Sequence, residues 1–285
     1  MPRIAFLLGD TRLSRHDNHL RLPAAFEGAG WDAARLPWTD LRLTPAGVRL
    51  GDHDPAGYDL IWPLGLGAAA SFLDRMQLLR ELPGERLVVS ADAFTYWHAK
   101  YPWWSLMPET HASGDATYLA SRLAAGGDWV VKPTAGSFGR DVRRIRDDGD
   151  GRRALAAATR DGRYALLQRY LPEAAQGEIR TLVAGGRRIG SYRRRPGPHG
   201  LANLAAGGVA EAGAPDVAAD SLVTSLTEDL ARRGVGFAAI DTVAGYLMEV
   251  NLANPGGLAT LESLYGGSPE RSVAEAVIAW RAQRG

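Results

Sequence analysis

The 285-residue chain carries 33 Lys and Arg against 32 Asp and Glu, a formal net charge of +1, and its arginines are scattered, so a nucleic-acid-binding protein has no electrostatic support. Hydrophobic residues make up 46% of the sequence, enough for a sizeable core shared by two or three small lobes, which excludes fibrous and disordered classes. There is no cysteine, so disulfides, thiolate nucleophiles and cysteine-ligated zinc or iron-sulfur centres are excluded and any metal falls to oxygen or imidazole ligands.

In chain order, the apolar run at residues 3–8 predicts a buried first strand. It is too short for a signal h-region or a membrane span, and the expectation is a cytoplasmic protein with no membrane partner. Leu20 to Gly30 reads as a helix with a glycine stop. Residues 41–50 read as two short strands around a Pro-Ala-Gly turn, and 58–64 as a core strand. A helix over about 69–82 and a strand at 86–90 complete a first α/β lobe with a parallel sheet. No GxGxxG follows the first strand, so a dinucleotide fold of the usual kind is not supported.

An aromatic stretch, Phe94 to Trp104, follows. Trp97, Tyr101, Trp103 and Trp104 read either as core or interlobe contacts or as a pocket lining. Then come a helix around 115–125, a strand and glycine-bearing loop at 129–145, a helix at 151–159 and a strand at 164–171. Residues 181–194 read as a hairpin turning at Ala184-Gly185-Gly186. A loop rich in glycine and proline leads to an amphipathic helix at 221–234, with Asp220 as its cap and Gly234 as its stop. Strands at 237–252 enclose the turn Ala244-Gly245, and 268–283 is a closing helix.

Chemistry concentrates in two places. Glu249 and Asn251 are two apart and share a strand face, and a short hairpin return can bring Asp241 opposite them. Two carboxylates and an amide oxygen form a hard-oxygen set suited to magnesium or manganese held together with substrate phosphates, the alternative being one acid capping a turn and another facing solvent. The second place is Lys132, at the end of an apolar strand before a loop with Gly136, Ser137 and Gly139, where backbone N–H groups can bind phosphate oxygens and the lysine supplies charge. It is not a Walker A loop, because the lysine precedes the glycines. Only two of the basic residues are lysines, Lys100 and Lys132, and a lysine is a point charge that an arginine does not replace around a polyphosphate.

Lys100, Lys132 with its loop, Gln168-Arg169-Tyr170-Leu171-Pro172, Gly177-Glu178-Ile179-Arg180, the Asn203–Gly208 segment, Asp241 and the Glu249–Gly256 segment stand in an order that resembles prokaryotic glutathione synthetase and its ATP-grasp relatives. The resemblance covers about residues 95–265 and implies an α/β protein: an ATP-grasp fold with an N-terminal α/β pre-ATP-grasp lobe. Its expected divisions are 1–95 for that lobe and 96–285 for the ATP-grasp domain, with a smaller nucleotide-covering lobe at about 105–171 and a catalytic lobe at about 172–285.

The implied activity is an ATP-dependent carboxylate-amine ligase that forms an amide or peptide bond through an acyl-phosphate. ATP and Mg2+ are the implied cofactors, with Mn2+ able to substitute. By the resemblance, Lys100, Lys132, Gly136, Ser137 and Gly139 serve the ATP phosphates. Gln168, Arg169, Tyr170 and Leu171 pass the adenine edge and Glu178 receives the ribose. Arg180 faces the transferred phosphate, Arg194 and Asn203 surround the reacting carboxylate, Gly207, Gly208 and Asn254 lie near the accepting site, and Asp241, Glu249 and Asn251 hold the metal. Partners are expected to be small carboxylate and amine substrates, and the resemblance allows a homodimer or homotetramer.

The pattern departs from the family where anionic substrate is bound. Pro63 to Gly67 stands where the family has an arginine-lysine-aspartate segment, His199 to Asn203 lacks an arginine, and Val209-Ala210 stands where another arginine is expected. A substrate pair other than that of glutathione formation follows. The alternatives are a ligase adding an amino acid such as glutamate to a protein or cofactor acceptor, for which the Arg193–Arg195 run is the feature, and a non-catalytic nucleotide binder of the same fold.

Overall fold

Among the described residues four sheets, one of them a two-stranded hairpin, and the helices between them follow the alternation of apolar runs with glycine and proline breaks. A computed structural model describes residues 1–9, 16–134, 141–197, 204 and 207–284. The first lobe is built on β1 (Arg3–Leu8), α1 (Asn18–Gly28), β2 (Asp32–Pro37), the hairpin β3 (Leu41–Thr44) and β4 (Gly47–Leu50), β5 (Leu60–Leu64) and α2 (Phe72–Arg80). Its sheet runs β2-β1-β5, parallel throughout, as expected from a strand-helix opening. β5 is buried at every position, as a parallel strand covered on both faces should be. β2, Asp-Ala-Ala-Arg-Leu-Pro, lacks β-branched and aromatic residues and was not foreseen; pairing with β1, not propensity, makes it a strand.

The strand expected at 86–90 is corrected to two isolated bridges, Ile61 with Leu87 and Val89 with Val235. Its hydrogen bonds are divided between two sheets: Val88 N–H donates to Ile61 O, while Gly236 N–H donates to Val88 O. A ladder cannot form, and the segment instead joins the first lobe to the C-terminal sheet. The joint is apolar, with Trp62 edge-on to Phe237 at 5.7 Å, and one continuous core runs from Ile4 and Phe26 through Val88 to Leu182, Ile240 and Val277.

The small middle sheet contains β6 (Thr110–Ser113), β7 (Trp129–Pro133), β8 (Arg143–Ile145) and β9 (Ala165–Arg169), in the order β6-β9-β7-β8, flanked by α3 (Ala116–Leu123) and α4 (Gly149–Ala158). Trp129, Val131 and Leu167 alternate onto one face and form a separate core with Leu119, Leu123, Ile145 and Leu155. β6 was not foreseen.

The C-terminal sheet contains β10 (Glu178–Ala184), β11 (Arg187–Arg195), β12 (Val209–Ala212), β13 (Phe237–Val243) and β14 (Tyr246–Asn251), in the antiparallel order β12-β11-β10-β13-β14. The expected hairpins turn at Gly185-Gly186 and at Ala244-Gly245, the latter with φ of 48° and 79°, the left-handed pair that a two-residue hairpin requires. β12 lies in what was expected to be loop, and the Arg193–Arg195 run ends β11. α5 (Val217–Arg232) begins a turn earlier than expected. Its cap is Asp216, whose Oδ1 accepts from Ala219 N–H at 2.9 Å, and Asp220 instead pairs with Arg188. The apolar period misses this first turn because Val217 is exposed. α6 (Leu258–Tyr265), also unforeseen, and α7 (Pro269–Ala282) close the chain. No helix among the described residues is long and apolar enough to cross a membrane.

Candidate active site

The C-terminal sheet places a polar set on one face because directly opposed residues and every second residue share a side. Arg180 on β10 stands opposite Asp241 on β13 and Tyr192 on β11, and Glu178 stands opposite Arg194. Asp241 stands opposite Glu249 on β14, with Asn251 two residues on, so the expected trio shares one face.

Asp241 is 1% exposed and is the centre of the arrangement. Arg180 grips it with both arms of its fork, Nε to Oδ1 at 2.8 Å and Nη2 to Oδ2 at 2.7 Å, and Arg194 Nη2 adds a third bond to Oδ2 at 2.7 Å. Arg194 also reaches Glu178 Oε1 at 2.5 Å. Two guanidinium groups and two carboxylates, all buried but the half-buried Glu178, thus form a locally neutral quartet in which a bidentate fork supplies direction as well as charge. Burial pushes the Asp241 carboxyl up, but the charges and hydrogen bonds of Arg180 and Arg194 outweigh it and hold the group below the ordinary carboxylate range. Glu178 goes the other way: burial pushes it up, Arg194 opposes this, and Asp241 and Glu249 push further up by repulsion.

The two lysines approach this face from outside the sheet. Lys100 Nζ binds Glu249 Oε1 at 2.9 Å. Lys132, on β7, is 8% exposed, and its Nζ donates to the neutral Gln168 Oε1 at 2.8 Å. Burial first, and then the neighbouring charge of Lys100, push its ammonium down to about 8, against the opposing pull of Glu249 and Glu178. The middle and C-terminal sheets therefore meet electrostatically around Lys132, Lys100, Glu178 and Glu249.

The first lobe reaches the same place through the loop after β14. His16 Nε2 lies 3.0 Å from Asn254 O, Asn18 Nδ2 donates to Asn254 Oδ1 and Pro255 O at 2.9 Å each, and Gly65 N–H donates to Ala253 O at 2.7 Å. Arg180 Nη1 meets Gly256 O of this loop at 3.3 Å. Nothing in the local sequence signals Asn18; only the docking of α1 against the loop reveals it. The loop following β5 is held by the buried Arg75, whose Nη2 donates to Leu66 O at 2.6 Å and Ala68 O at 2.5 Å.

Other expected site residues are placed as follows. Arg169 turns to the helix-covered side, stacked 3.8 Å over Trp129 and bonded to Glu109, and Arg144 covers the Tyr170 ring at 4.0 Å. The N–H groups of Arg169 and Tyr170 donate to the carbonyls of Glu109 and Asp128. Trp97 and Trp103 pack together and join the core, with Trp103 Nε1 bonded to Trp97 O, whereas Trp104 is exposed and does not line a pocket with them. Gly136, Ser137, Gly139 and Asn203 lie outside the described residues.

The family described as prokaryotic glutathione synthetase, ATP-grasp domain, matches residues 97–266. The chain belongs to the glutathione-synthetase-type ATP-grasp family. Glutathione synthetase of Parasynechococcus marenigrum (strain WH8102) is 30% identical over 220 residues, 73% of this chain and 71% of that protein. Glutathione synthetase of Prochlorococcus marinus subsp. pastoris (strain CCMP1986 / NIES-2087 / MED4) is 28% identical over 263 residues, 88% of this chain and 82% of that protein. Among solved structures, D-cycloserine synthetase DcsG superposes with a TM-score of 0.74 at 18% identity, covering 99% of this chain and 100% of that one. The ATP-grasp ligase PsnB, complexed with minimal precursor, Mg and ADP, gives 0.69 at 15%, covering 98% of each chain. The fold is ATP-grasp, and the protein is an ATP-dependent ligase of that family.

The donor set around Asp241 is compatible with magnesium. Asp241, Glu249 and Asn251 offer oxygen donors alone, the Asp241 oxygens accepting from Arg180 and Arg194 and Glu249 Oε1 from Lys100 in this structure, and among the described residues no group of three or more His, Cys, Asp and Glu side chains is placed to hold a metal by itself. One or two carboxylates with the remaining positions taken by phosphate and water is how magnesium is ordinarily held.

Proposed function

We propose that this ligase joins a carboxylic acid to an amine through an acyl-phosphate, releasing ADP and phosphate, and that its substrates are small amino-acid or peptide molecules other than the glutathione pair. The observation that carries the reading is the convergence of Arg180, Arg194, Asp241 and Glu249 on one sheet face with Lys100 and Lys132 beside them.

In this reading Asp241, Glu249 and Asn251 hold magnesium, which when bound supplies charge neutralisation to the phosphate oxygens; manganese has the same ligand preference. Lys132 and Lys100 face the phosphates, with Gly136, Ser137 and Gly139 covering them. Gln168 to Leu171 lies along the base, and Glu178 faces the ribose. Lys132 neutralises the oxygens that gain charge when the acid attacks the γ-phosphate, and Arg180 stabilises the tetrahedral intermediate that forms when the amine adds to the acyl-phosphate and that then collapses with loss of phosphate. Arg194 and Asn203 orient the acid, and Asn254 with Gly207 and Gly208 borders the amine. Residues 1–95 form the lobe that brings the acceptor side, about 105–171 the nucleotide-covering lobe and about 172–285 the catalytic lobe.

Departure from the glutathione pair is supported by the loop after β5, which Arg75 ties to its own backbone carbonyls where an anionic substrate would need free cationic groups. A small acceptor is supported by Arg193 and Arg195, which both turn to Glu211, at 3.5 and 2.8 Å, and so present less positive charge to an acidic chain. A cytoplasmic homodimer or homotetramer completes the proposal.

The test is ADP and phosphate release with magnesium-ATP across a matrix of small acids and amines, with Asp241→Asn and Lys132→Ala as controls. Release that needs both an acid and an amine, and vanishes in both controls, is expected. Release confined to peptide or protein acceptors would replace the small-molecule reading, and tight ATP binding without turnover over both panels would replace the ligase chemistry.

A further inference from the structure

Lys132 differs from the other cations of the site in its partner. Arg180, Arg194 and Lys100 each hold a carboxylate, whereas the Lys132 hydrogen bond goes to the carboxamide of Gln168. Gln168 is 1% exposed, and its orientation is fixed from both ends. Its Nε2 donates to Thr110 Oγ1 at 2.8 Å, and the Thr110 hydroxyl donates to Pro108 O at 2.6 Å. With the hydroxyl proton committed to that carbonyl, Thr110 can only accept from Gln168, so the amide must present its oxygen to Lys132. The chain of three bonds crosses β6, β9 and β7 on the face opposite Trp129 and Val131.

We propose that Gln168, locked by Thr110, is a positioning residue that holds Lys132 through a neutral partner and thereby leaves its positive charge uncompensated for a nucleotide phosphate. The inference rests on the ATP-binding reading of the site and adds a role for the Gln168 side chain, distinct from any contact its backbone makes to the base.

The surrounding charges support this. Lys132 faces Lys100, Glu249 and Glu178. Of these, Glu249 is paired with Lys100 and Glu178 with Arg194, so the ammonium is the charge left over. The charged residues of β6 and β9, with the neighbouring Glu109, pair with one another beside Trp129: Glu109 binds Arg169 and His111. The ammonium already lies near 8 through burial and Lys100, within reach of physiological pH. A glutamate at position 168 would fix the proton on Lys132 but cancel its field, and an apolar residue would leave a buried ammonium without an acceptor and drive it toward the neutral amine.

The chain contains two lysines, so protein labelled with 13Cε-lysine gives two signals, and loss of one in Lys132→Arg assigns the other. Titration of the nucleotide-free protein is followed in wild type, Gln168→Glu, Gln168→Leu and Thr110→Val, alongside calorimetric binding of magnesium-AMPPNP from pH 6.5 to 9.5. Wild type should titrate at about 8, with nucleotide affinity falling up to about tenfold per pH unit above that point. Gln168→Glu should move the Lys132 midpoint up by about one pH unit or more while weakening binding roughly tenfold at pH 7. Gln168→Leu should move the midpoint down, so that affinity declines from a lower pH, and Thr110→Val should do the same by a smaller step.

Shifts of opposite sign in the glutamate and leucine variants, with the affinity profile following each, are a result that a merely structural role does not produce. A Lys132 midpoint unchanged in all variants, or moved in the same direction by both, would overturn the proposal; if Gln168→Leu fails to fold, the pair Gln168→Glu and Thr110→Val decides. Absence of nucleotide binding by wild type would strike the functional reading instead, while the titration would still decide the role of Gln168.

Discussion

Asp241→Asn should cost this protein stability out of proportion to the size of the change. The carboxylate accepts three charge-assisted hydrogen bonds, two from Arg180 and one from Arg194, and the two arginine side chains are 10% and 8% exposed. An asparagine keeps one oxygen as an acceptor but turns an NH2 toward a guanidinium, donor against donor. It also leaves two buried cations with one carboxylate, Glu178, between them. Breaking a buried pair by removing one partner costs about 3–5 kcal/mol. At about 2–4 °C per kcal/mol for a chain of this order of size, the midpoint should fall by roughly 6–20 °C. Circular dichroism during heating at pH 7.5, with and without 0.5 M salt, measures it, and salt should change the difference little because the pair is shielded from solvent. Adding Arg180→Met to Asp241→Asn should recover part of the loss, since the uncompensated cation is then gone. A single variant within 2 °C of wild type would refute the reasoning, because it would mean that the guanidinium groups find other partners at little cost.

Three further outcomes are expected. Asp216→Ala should destabilise the protein by about 0.5–2 kcal/mol through loss of the α5 cap, while Asp220→Ala should stay within about 0.5 kcal/mol; urea unfolding of the two variants separates them. Gly177→Ala should destabilise by about 1–3 kcal/mol, because φ is 103° and a Cβ would lie 2.6 Å from Arg194 O, and the same variant should weaken magnesium-AMPPNP binding as the strand carrying Arg194 shifts. His98 is held below 6.5 chiefly by burial, with Lys100 adding to this and Glu249 opposing it, and its Nδ1 lies 3.4 Å from Leu252 N. The folded state therefore favours the neutral ring. The associated stability is full above pH 6.5 and is lost as pH falls from there through the depressed folded value, so His98→Gln should flatten the acid limb of a stability-pH curve below pH 6.5. An unchanged limb would show that the ring charges without penalty.

The elements that the sequence declares are those with a strong local signal. β1 and β5 are uninterrupted apolar runs, and the two C-terminal hairpins carry glycines where left-handed backbone is needed. α7 has the apolar period of a packed helix, and Glu249 and Asn251 could be set on one face by counting, with Asp241 opposite through a short turn. The ordered motifs from Lys100 to Gly256 were enough to reach the family.

Tertiary structure alone decided the rest, because the deciding forces are non-local. β2 is a strand through its register with β1, and residues 86–90 lose that status because their hydrogen bonds serve two sheets. The spacing of Arg180, Arg194 and Asp241 says nothing of their junction; strand order β11-β10-β13 and the pairings of Arg180 with Asp241 and Glu178 with Arg194 create it. In the same way, Thr110, Gln168 and Lys132 lie on three strands that are consecutive in space and not in sequence, and Asn18 meets Asn254 across 236 residues. Residue types and local periods, which the chain carries along its length, determined which side chains could do this chemistry; which of them touch, and with what charge left uncompensated, is a property of packing between segments that the linear order does not contain.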